Sequence, residues 1–314
     1  MSRKVLLQLV LPLIGLSVLF WLLAFAPGDK HHQPALLEMS VILRDGDGNV
    51  SAMRKGMEQA AKDLNVELRF LTPAEDNSAV EQVQLLEHEV SGAAPAILLI
   101  PADREALGEA VSAAAGKTTL VTVESDMTAW GADASISMDH QALGEALGKA
   151  ALNGVSFGGT VLLLDSLLGD NGVRERMEAA KALLEEKGRQ VRICRWTSDS
   201  TAFANILRIE RPKAVIAFEA AALTEMAELS RGEEAFPLLY GCGSTAGIAA
   251  ALEKGRVTAI AAVNVFSAGY LAVEAAAKLA RHESWTGASS VGFSIVRQET
   301  MYSSDNQKLL FPVT

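Results

Sequence analysis

The segment Ala96-Ile-Leu-Leu-Ile-Pro-Ala-Asp103 decides the fold, because it joins an apolar run of strand length to a polar loop. A stretch with helical periodicity follows over residues 104–114, and Leu120-Val-Thr-Val-Glu-Ser-Asp126 then repeats the strand pattern. Continuous apolar runs are typical of buried parallel strands, and each step between parallel strands needs a crossover helix. The segment therefore predicts a β-α-β unit within a parallel sheet.

The same alternation of short β-rich runs and Ala-rich amphipathic stretches extends along most of the chain. One set of predicted strands covers residues 39–43, 67–71, 96–100, 119–123 and 134–137, and a second covers 160–164, 190–195, 214–218, 238–241 and 257–263. Repeated units of this kind predict an α/β fold with two doubly wound parallel sheets and right-handed crossovers. Ligands of such sheets bind beyond the carboxyl ends of the strands, so the residues that follow each strand are the site candidates.

The N-terminal residues predict a membrane anchor. Arg3 and Lys4 precede an apolar run over residues 5–26, which as a helix spans roughly 33 Å, enough to cross a bilayer core. Ala24-Phe-Ala26 fits a signal-peptidase pattern, but Pro27 would then be the first mature residue, where cleavage is poor. We expect an uncleaved transmembrane anchor over residues 1–26 with the body outside the cytoplasmic membrane, and cleavage is the alternative. Residues 27–37 then form a polar linker.

Charge and composition exclude several classes of partner. The net charge of −10 argues against binding to nucleic acid and against binding to an anionic lipid surface.

Cys194 and Cys242 both lie in apolar, strand-like stretches, which predicts two buried thiols rather than a disulfide. His31 and His32 have no third ligand nearby, so we expect a solvated tether there and no metal.

Sequence motifs of catalysis are missing or imperfect. Gly241-x-Gly243-x-x-x-Gly247 follows a predicted strand, but its spacing is one residue too long for a dinucleotide loop. The sequence has no HExxH, Walker or G-x-S-x-G motif, and Cys242 has no histidine nearby in sequence. We therefore expect no catalysis and no cofactor.

Several further motifs occur in an order that is specific for one fold family. Residues 41–65 combine a strand, a polar loop and the helix Ser51-Ala-Met-Arg-Lys-Gly-Met-Glu58. The others are Ile136-Ser-Met-Asp-His-Gln-Ala-Leu-Gly144, Val173-Arg-Glu-Arg-Met177, Lys213-Ala-Val-Ile-Ala-Phe218, Leu239-Tyr-Gly-Cys-Gly-Ser-Thr245 and Phe266-Ser-Ala-Gly-Tyr270. Together with the segments quoted first, they resemble the type I periplasmic binding proteins, which include ribose-binding proteins and are related to the core of the lactose-repressor family. The resemblance covers roughly residues 38–300.

The resemblance implies two lobes joined by a hinge that the chain crosses three times, near residues 138–139, 263–264 and 291–292. Lobe one is then expected over residues 38–138 plus 264–291, lobe two over 139–263 plus 292–302, and a C-terminal tail over 303–314. Proteins of this kind close about the hinge on a ligand.

The polar loop after the first predicted strand, Arg44-Asp45-Gly-Asp47-Gly-Asn49, is a candidate ligand contact, and a solvated turn is the alternative. It copies the start of a calcium loop, but position six is Val50 rather than glycine and position twelve is Gly56 rather than glutamate, so we expect no calcium. By resemblance, aromatic residues that stack on a sugar commonly lie here, and this loop has none. Trp196 and Phe203 offer an aromatic wall from lobe two, with core packing as the favoured alternative.

The resemblance adds candidates that follow later strands. Glu124 matches the family's sugar-binding aspartate, and its neighbour Ser125 stands where an arginine is common. Arg174 matches a ligand-contacting arginine, whose fork of donors suits neighbouring hydroxyls or a carboxylate. The alternative for Arg174 is an exposed residue at a helix start, paired with Glu178.

Other candidates stand where this sequence departs from the family. Glu219 replaces a frequent asparagine, Gly243 a frequent aspartate, and Ala262 a polar residue that usually reaches the ligand. Asn264 at the second crossing offers a substitute amide. Asp139 at the first crossing is a candidate contact, with helix capping or a hinge role as the alternative.

These expectations describe an extracytoplasmic solute-binding protein, held at the cell membrane by a single span, that captures a small polar, sugar-like ligand between two lobes. The partners that the resemblance implies are the permease of an ABC transporter or, alternatively, a membrane sensor kinase. A degenerate family member that acts as a structural module without a ligand is the remaining alternative.

Overall fold

The computed structural model describes residues 35–44, 50–165, 171–196, 200–231 and 236–311, and over them it confirms an α/β fold with parallel sheets in two lobes. The predicted anchor, residues 1–26, lies outside these ranges. Within them, no helix is both long and apolar enough to cross a bilayer.

The first sheet has five parallel strands in the order β2-β1-β3-β4-β5. Strand β1 lies inside the sheet, with β2 on one side of it and β3, β4 and β5 in succession on the other. The strands are β1 (Leu37–Ile42), β2 (Val66–Leu71), β3 (Ala96–Leu99), β4 (Thr119–Glu124) and β5 (Ala134–Ser137), and the crossover helices are α1 (Val50–Leu64), α2 (Ala79–Ser91) and α3 (Arg104–Ala114).

The second sheet has six strands in the order β11-β10-β9-β8-β6-β7, of which five are parallel. Strand β11 pairs antiparallel with β10, a feature absent from the prediction of purely parallel sheets, and mixed sheets commonly carry such an edge strand. The strands are β6 (Thr160–Asp165), β7 (Gln190–Arg195), β8 (Ala214–Ala217), β9 (Leu238–Cys242), β10 (Ala259–Val263) and β11 (Phe293–Val296), and the helices are α4 (His140–Leu152), α5 (Asn171–Glu186), α6 (Ser200–Glu210), α7 (Ala220–Leu229) and α8 (Ala246–Glu253).

The chain passes between the two sheets more than once. Helix α9 (Val265–Ala280) follows β10 of the second sheet, yet it packs on α1 and on three strands of the first. After α9, Ser290 forms a parallel bridge with Ser137 at the end of β5, and the chain then returns to the second sheet as β11. More than one chain connection therefore joins the two lobes. The exact limits of each lobe stay a prediction.

The C-terminal residues and the aromatic and sulfur side chains of the second lobe are packed. Residues 304–310, predicted as part of a tail, form helix α10 (Ser304–Leu310), whose Leu310 is buried against the second sheet. The Trp196 and Phe203 rings meet edge to face at 5.2 Å, and Phe203 is buried, so these rings pack in the core. Cys194 and Cys242 are free, buried thiols, as predicted.

Glycines allow helices to approach one another closely in both lobes. A Cβ atom on Gly269 of α9 would lie 2.1 Å from the Met53 carbonyl oxygen of α1, and one on Gly56 would lie 2.0 Å from the Phe266 carbonyl oxygen. In the second lobe, a Cβ atom on Gly144 of α4 would lie 2.1 Å from the carbonyl oxygen of Arg176 in α5. Only glycine fits at such contacts without moving the backbone.

We expect Gly269→Ala to lower the free energy of unfolding by about 1–3 kcal/mol, because the added methyl group forces α1 and α9 apart. Gly247→Ala is the matched control, since its nearest neighbour would be the Thr245 hydroxyl oxygen at 3.9 Å. The control should leave stability unchanged or raise it by up to about 1 kcal/mol, as alanine favours a helix. Urea unfolding measures both variants, and equal effects would contradict the close helix packing.

Candidate functional site

A cavity of about 60 Å³ lies between the lobes, where carboxyl ends of strands from both sheets meet. The first lobe contributes a side chain that follows β1 and the last residue of β4, and the second contributes residues from α5 and from the ends of β8, β9 and β10. The lining residues in the described part of the chain are Arg44, Glu124, Met138, Val173, Arg176, Phe218, Glu219, Ala220, Cys242, Gly243, Ser244, Val263 and Val265.

An ion pair forms the wall of the first lobe. Nη1 of Arg44 lies 3.3 Å from Oε2 of Glu124, and the two side chains are only 11% and 14% exposed. Glu124 ends β4 with a φ of +70°, a conformation that is uncommon for a residue other than glycine. Its carbonyl oxygen accepts hydrogen bonds from Oγ of Ser137 at 2.6 Å and from Nε2 of His140 at 2.8 Å. These bonds hold the strained residue in place, as is common at ligand sites.

A buried guanidinium forms the facing wall in the second lobe. Arg176 on α5 is 8% exposed, and it donates from Nε to Nδ1 of His140 and from Nη1 to the carbonyl oxygen of Phe218, both at 3.0 Å. Nη2 lies 3.9 Å from the sulfur of Met138. Across the described ranges, no carboxylate pairs with Arg176. Because a guanidinium has five N–H groups and this one lines the cavity, donors remain for a bound molecule.

The chemistry of the remaining wall is that of binding rather than of nucleophilic attack. Burial raises the pKa of the Cys242 thiol, and the charge and hydrogen bond of Arg176 oppose the shift only in part. The thiol therefore stays protonated at neutral pH and is a poor nucleophile. Glu219 lies at the start of α7, where its side chain makes no capping hydrogen bond.

Gly243 leaves the backbone itself facing the cavity. Its φ of +132° is rare for L side chains, and a Cβ atom there would lie 2.7 Å from Cδ1 of Ile248 and 2.8 Å from Cβ of Ala220. A side chain at this position would strain the turn after β9, so position 243 offers the cavity only its backbone.

The structure brings together four of the residues predicted from the sequence, which are Arg44, Glu124, Glu219 and Gly243. The other predicted residues in the described ranges lie elsewhere. Asp139 caps α4 by accepting from the amide of Ala142 at 2.8 Å, Asn264 caps α9 by accepting from the amide of Ser267 at 3.0 Å, Ser125 is buried beside the cavity lining, and Arg174 is exposed on α5. Asp45, Asp47 and Asn49 lie outside the described residues. Whether each of these residues binds a ligand stays a prediction.

Sequence reasoning missed Arg176 and His140. The motif Val173-Arg-Glu-Arg-Met177 contains two arginines, and the first of them matches the family's ligand-contacting arginine by resemblance. Helical periodicity distinguishes the two, because Val173, Arg176 and Ala180 fall three or four residues apart on one buried face. His140 directly follows the capping Asp139, and nothing in its sequence context marks it as part of a site.

An ion pair outside the cavity lining also joins the two lobes. Nη1 of Arg104, at the start of α3 in the first lobe, lies 3.4 Å from Oε1 of Glu175 on α5 in the second. The Arg104 guanidinium also lies over the Trp130 ring, 5.7 Å from its centroid, which holds the side chain on the first lobe. The two lobes therefore meet through this pair as well as through the chain connections between the sheets.

A double-mutant cycle tests this contact. We expect Arg104→Gln and Glu175→Gln to show a coupling free energy of about 0.2–1 kcal/mol in chemical denaturation at low salt, since the pair is partly solvated. The coupling should shrink at about 1 M salt, where exposed charges are screened. A coupling that is zero at low salt would show that the two side chains are apart in solution.

Comparison with known proteins adds evidence about the whole chain. Residues 40–284 match the periplasmic binding protein domain. Among solved structures, a carbohydrate transporter solute-binding protein from Agrobacterium radiobacter in complex with D-arabinose has a TM-score of 0.81 at 17% identity, covering 88% of this chain and 99% of that one. An ABC transporter solute-binding protein from Agrobacterium vitis with bound D-fucose has a TM-score of 0.81 at 19% identity, covering 87% and 100%.

A third similar structure is the XylFII–LytSN complex, with a TM-score of 0.77 at 16% identity, covering 85% of this chain and 99% of that one. No curated protein matches the sequence. At these identities the solved structures show the fold alone, and the domain match shows the family.

Proposed function

The chain belongs to the periplasmic binding protein family, and we propose that it is an extracytoplasmic solute-binding protein that captures a small polar, sugar-like ligand between its lobes for an ABC transporter. Similar structures with bound D-arabinose and D-fucose support this choice of ligand class. We also propose that residues 1–26 anchor the protein in the cytoplasmic membrane, and that it performs no chemistry on its ligand.

The facing charges of Arg176 and Glu124 are the observation that carries the proposal. A hydroxyl group both donates and accepts, so neighbouring hydroxyls of one molecule can bond the Glu124 carboxylate on one wall and the Arg176 guanidinium on the other. The Arg44 guanidinium already offsets the Glu124 charge at 3.3 Å. The cleft therefore suits a neutral polyhydroxylated molecule that joins the two lobes.

The size and shape of the cavity also favour a small ligand. Since one water needs about 10–15 Å³ of such space, a cavity of about 60 Å³ holds about four to six waters. Phe218 is the one aromatic residue among the described lining residues, and its side chain is 1% exposed, so it presents no ring face for stacking. We therefore propose a ligand no larger than a monosaccharide, held by hydrogen bonds rather than by an aromatic platform.

The similarity to the XylFII–LytSN complex favours one second candidate function. In this second function, the ligand-bound lobes of the present protein would bind a membrane sensor kinase instead of a permease, and the capture of the ligand would be the same. Co-purification with a candidate kinase domain, compared with and without sugar, separates the two partners.

A thermal-shift screen tests the proposed function. The panel should contain D-arabinose, D-fucose, other monosaccharides, polyols, amino acids and dicarboxylates. A ligand that binds only the folded state adds about 2.7 kcal/mol of stability at a hundredfold excess over its dissociation constant. Stabilisation by sugars or polyols supports the proposal, and stabilisation by dicarboxylates alone contradicts it. No shift with any compound would favour a structural module.

We expect Arg176→Ala to weaken sugar binding about tenfold to a hundredfold, because a hydrogen bond from a charged group contributes about 1.5–3 kcal/mol. Arg174→Ala tests the competing assignment that the family resemblance gives. Because Arg174 is exposed two residues earlier on the same helix, we expect this variant to retain affinity within about twofold. Calorimetry measures both variants. If Arg174→Ala loses affinity while Arg176→Ala keeps it, the assignment of the second-lobe wall is wrong.

A further inference from the structure

His140 occupies a position where both of its ring nitrogens are committed. It is the first residue of α4 and is 7% exposed. A guanidinium N–H can only donate, so the Nδ1 atom that lies 3.0 Å from Nε of Arg176 must be the unprotonated nitrogen. The hydrogen of a neutral ring then lies on Nε2, which donates to the Glu124 carbonyl oxygen at 2.8 Å. The geometry thus selects one tautomer of a neutral imidazole.

The ring is also clamped in place. A Cβ atom on Gly172 of α5 would lie 2.6 Å from Cε1 of His140, so the α5 backbone covers the ring closely. One turn further along α4, Gly144 also brings this helix close to the α5 backbone. His140 therefore cannot turn away from Arg176 without moving α5.

We propose that His140 is the positioning residue of the cleft, and that it holds Arg176 toward a ligand only while its imidazole is neutral, so that acid weakens ligand capture. The effect of acid on ligand affinity rests on the proposed function, whereas the tautomer of His140 does not depend on it.

The charges around His140 support this effect. Among the described residues, the titratable or charged groups near it on the packed elements include Arg176 on α5, Glu124 at the end of β4 and, beyond Arg176, Cys242 on β9 and Glu219 before α7. Asp139 directly precedes it in the chain. The Glu124 carboxylate is paired with Arg44, and Asp139 accepts from the amide of Ala142. Strands β10 and β11, which also pack on α4, carry no charged side chain.

Protonation of Nδ1 would remove the acceptor of Arg176 and place a second cation 3.0 Å from Nε in a buried site. Arg176 must then withdraw or turn, and the second-lobe wall loses its donor. Burial and the neighbouring guanidinium both oppose this protonation, so the change falls at the acid end of the range that an extracytoplasmic protein meets.

The test compares the wild type with His140→Asn and His282→Asn by calorimetric titration of D-arabinose and D-fucose between pH 5 and pH 8. Asparagine keeps one acceptor and one donor but does not titrate, and His282 is an exposed histidine in the other lobe. The wild type and His282→Asn should lose affinity as the pH falls, by up to about tenfold per pH unit once the imidazole protonates. His140→Asn should vary by less than about twofold over the same range, since its amide cannot take up a proton. A wild-type profile as flat as that of His140→Asn would overturn the proposal.

A second measurement needs neither a variant nor a ligand. Long-range proton–nitrogen spectra of ¹⁵N-histidine-labelled protein at pH 7.5 report the tautomer of each ring, and His140 should carry its hydrogen on Nε2. A hydrogen on Nδ1 would overturn the positioning role, because Arg176 could not then donate to that atom. If neither sugar binds at any pH, the proposed function fails on these ligands while the tautomer still decides the role of His140.

Discussion

The cleft depends on one constraint, which is that the buried guanidinium of Arg176 must have acceptors for its hydrogens. A charge removed from water without partners is costly, and here neutral acceptors supply the bonds, namely a histidine nitrogen and the Phe218 carbonyl oxygen. Both acceptors belong to the second lobe, but His140 is itself bonded to Glu124 of the first. The interaction that satisfies the charge therefore also ties the two walls of the cleft together.

Helix packing makes this arrangement possible. The close approach of α4 and α5 at Gly144 brings the first residue of α4 within bonding distance of Arg176, and the left-handed backbone at Glu124 turns its carbonyl toward His140. The first lobe repeats the device, since α1 and α9 meet through Gly56 and Gly269. Small residues at helix contacts thus position polar groups that lie far from them in sequence.

The sequence was sufficient to predict the fold class and part of the site. Buried parallel strands are recognisable as continuous apolar runs. Glu124 and Glu219 lie at the carboxyl ends of such strands, where ligands of α/β sheets bind, so both could be predicted. It could not find His140, because the bond to Arg176 joins residues 36 positions apart through tertiary packing. It also missed the antiparallel edge strand β11 and helix α10, whose short, mixed sequences lack a clear period.

A crystal structure with the sugar that stabilises the protein most tests the central claim directly, which is that one ligand joins Arg176 to Glu124 across the cleft. The account predicts one sugar oxygen at about 2.7–3.2 Å from a terminal nitrogen of Arg176, and another within hydrogen-bond distance of the Glu124 carboxylate. A sugar that contacts only one lobe, or that binds away from both residues, would contradict it.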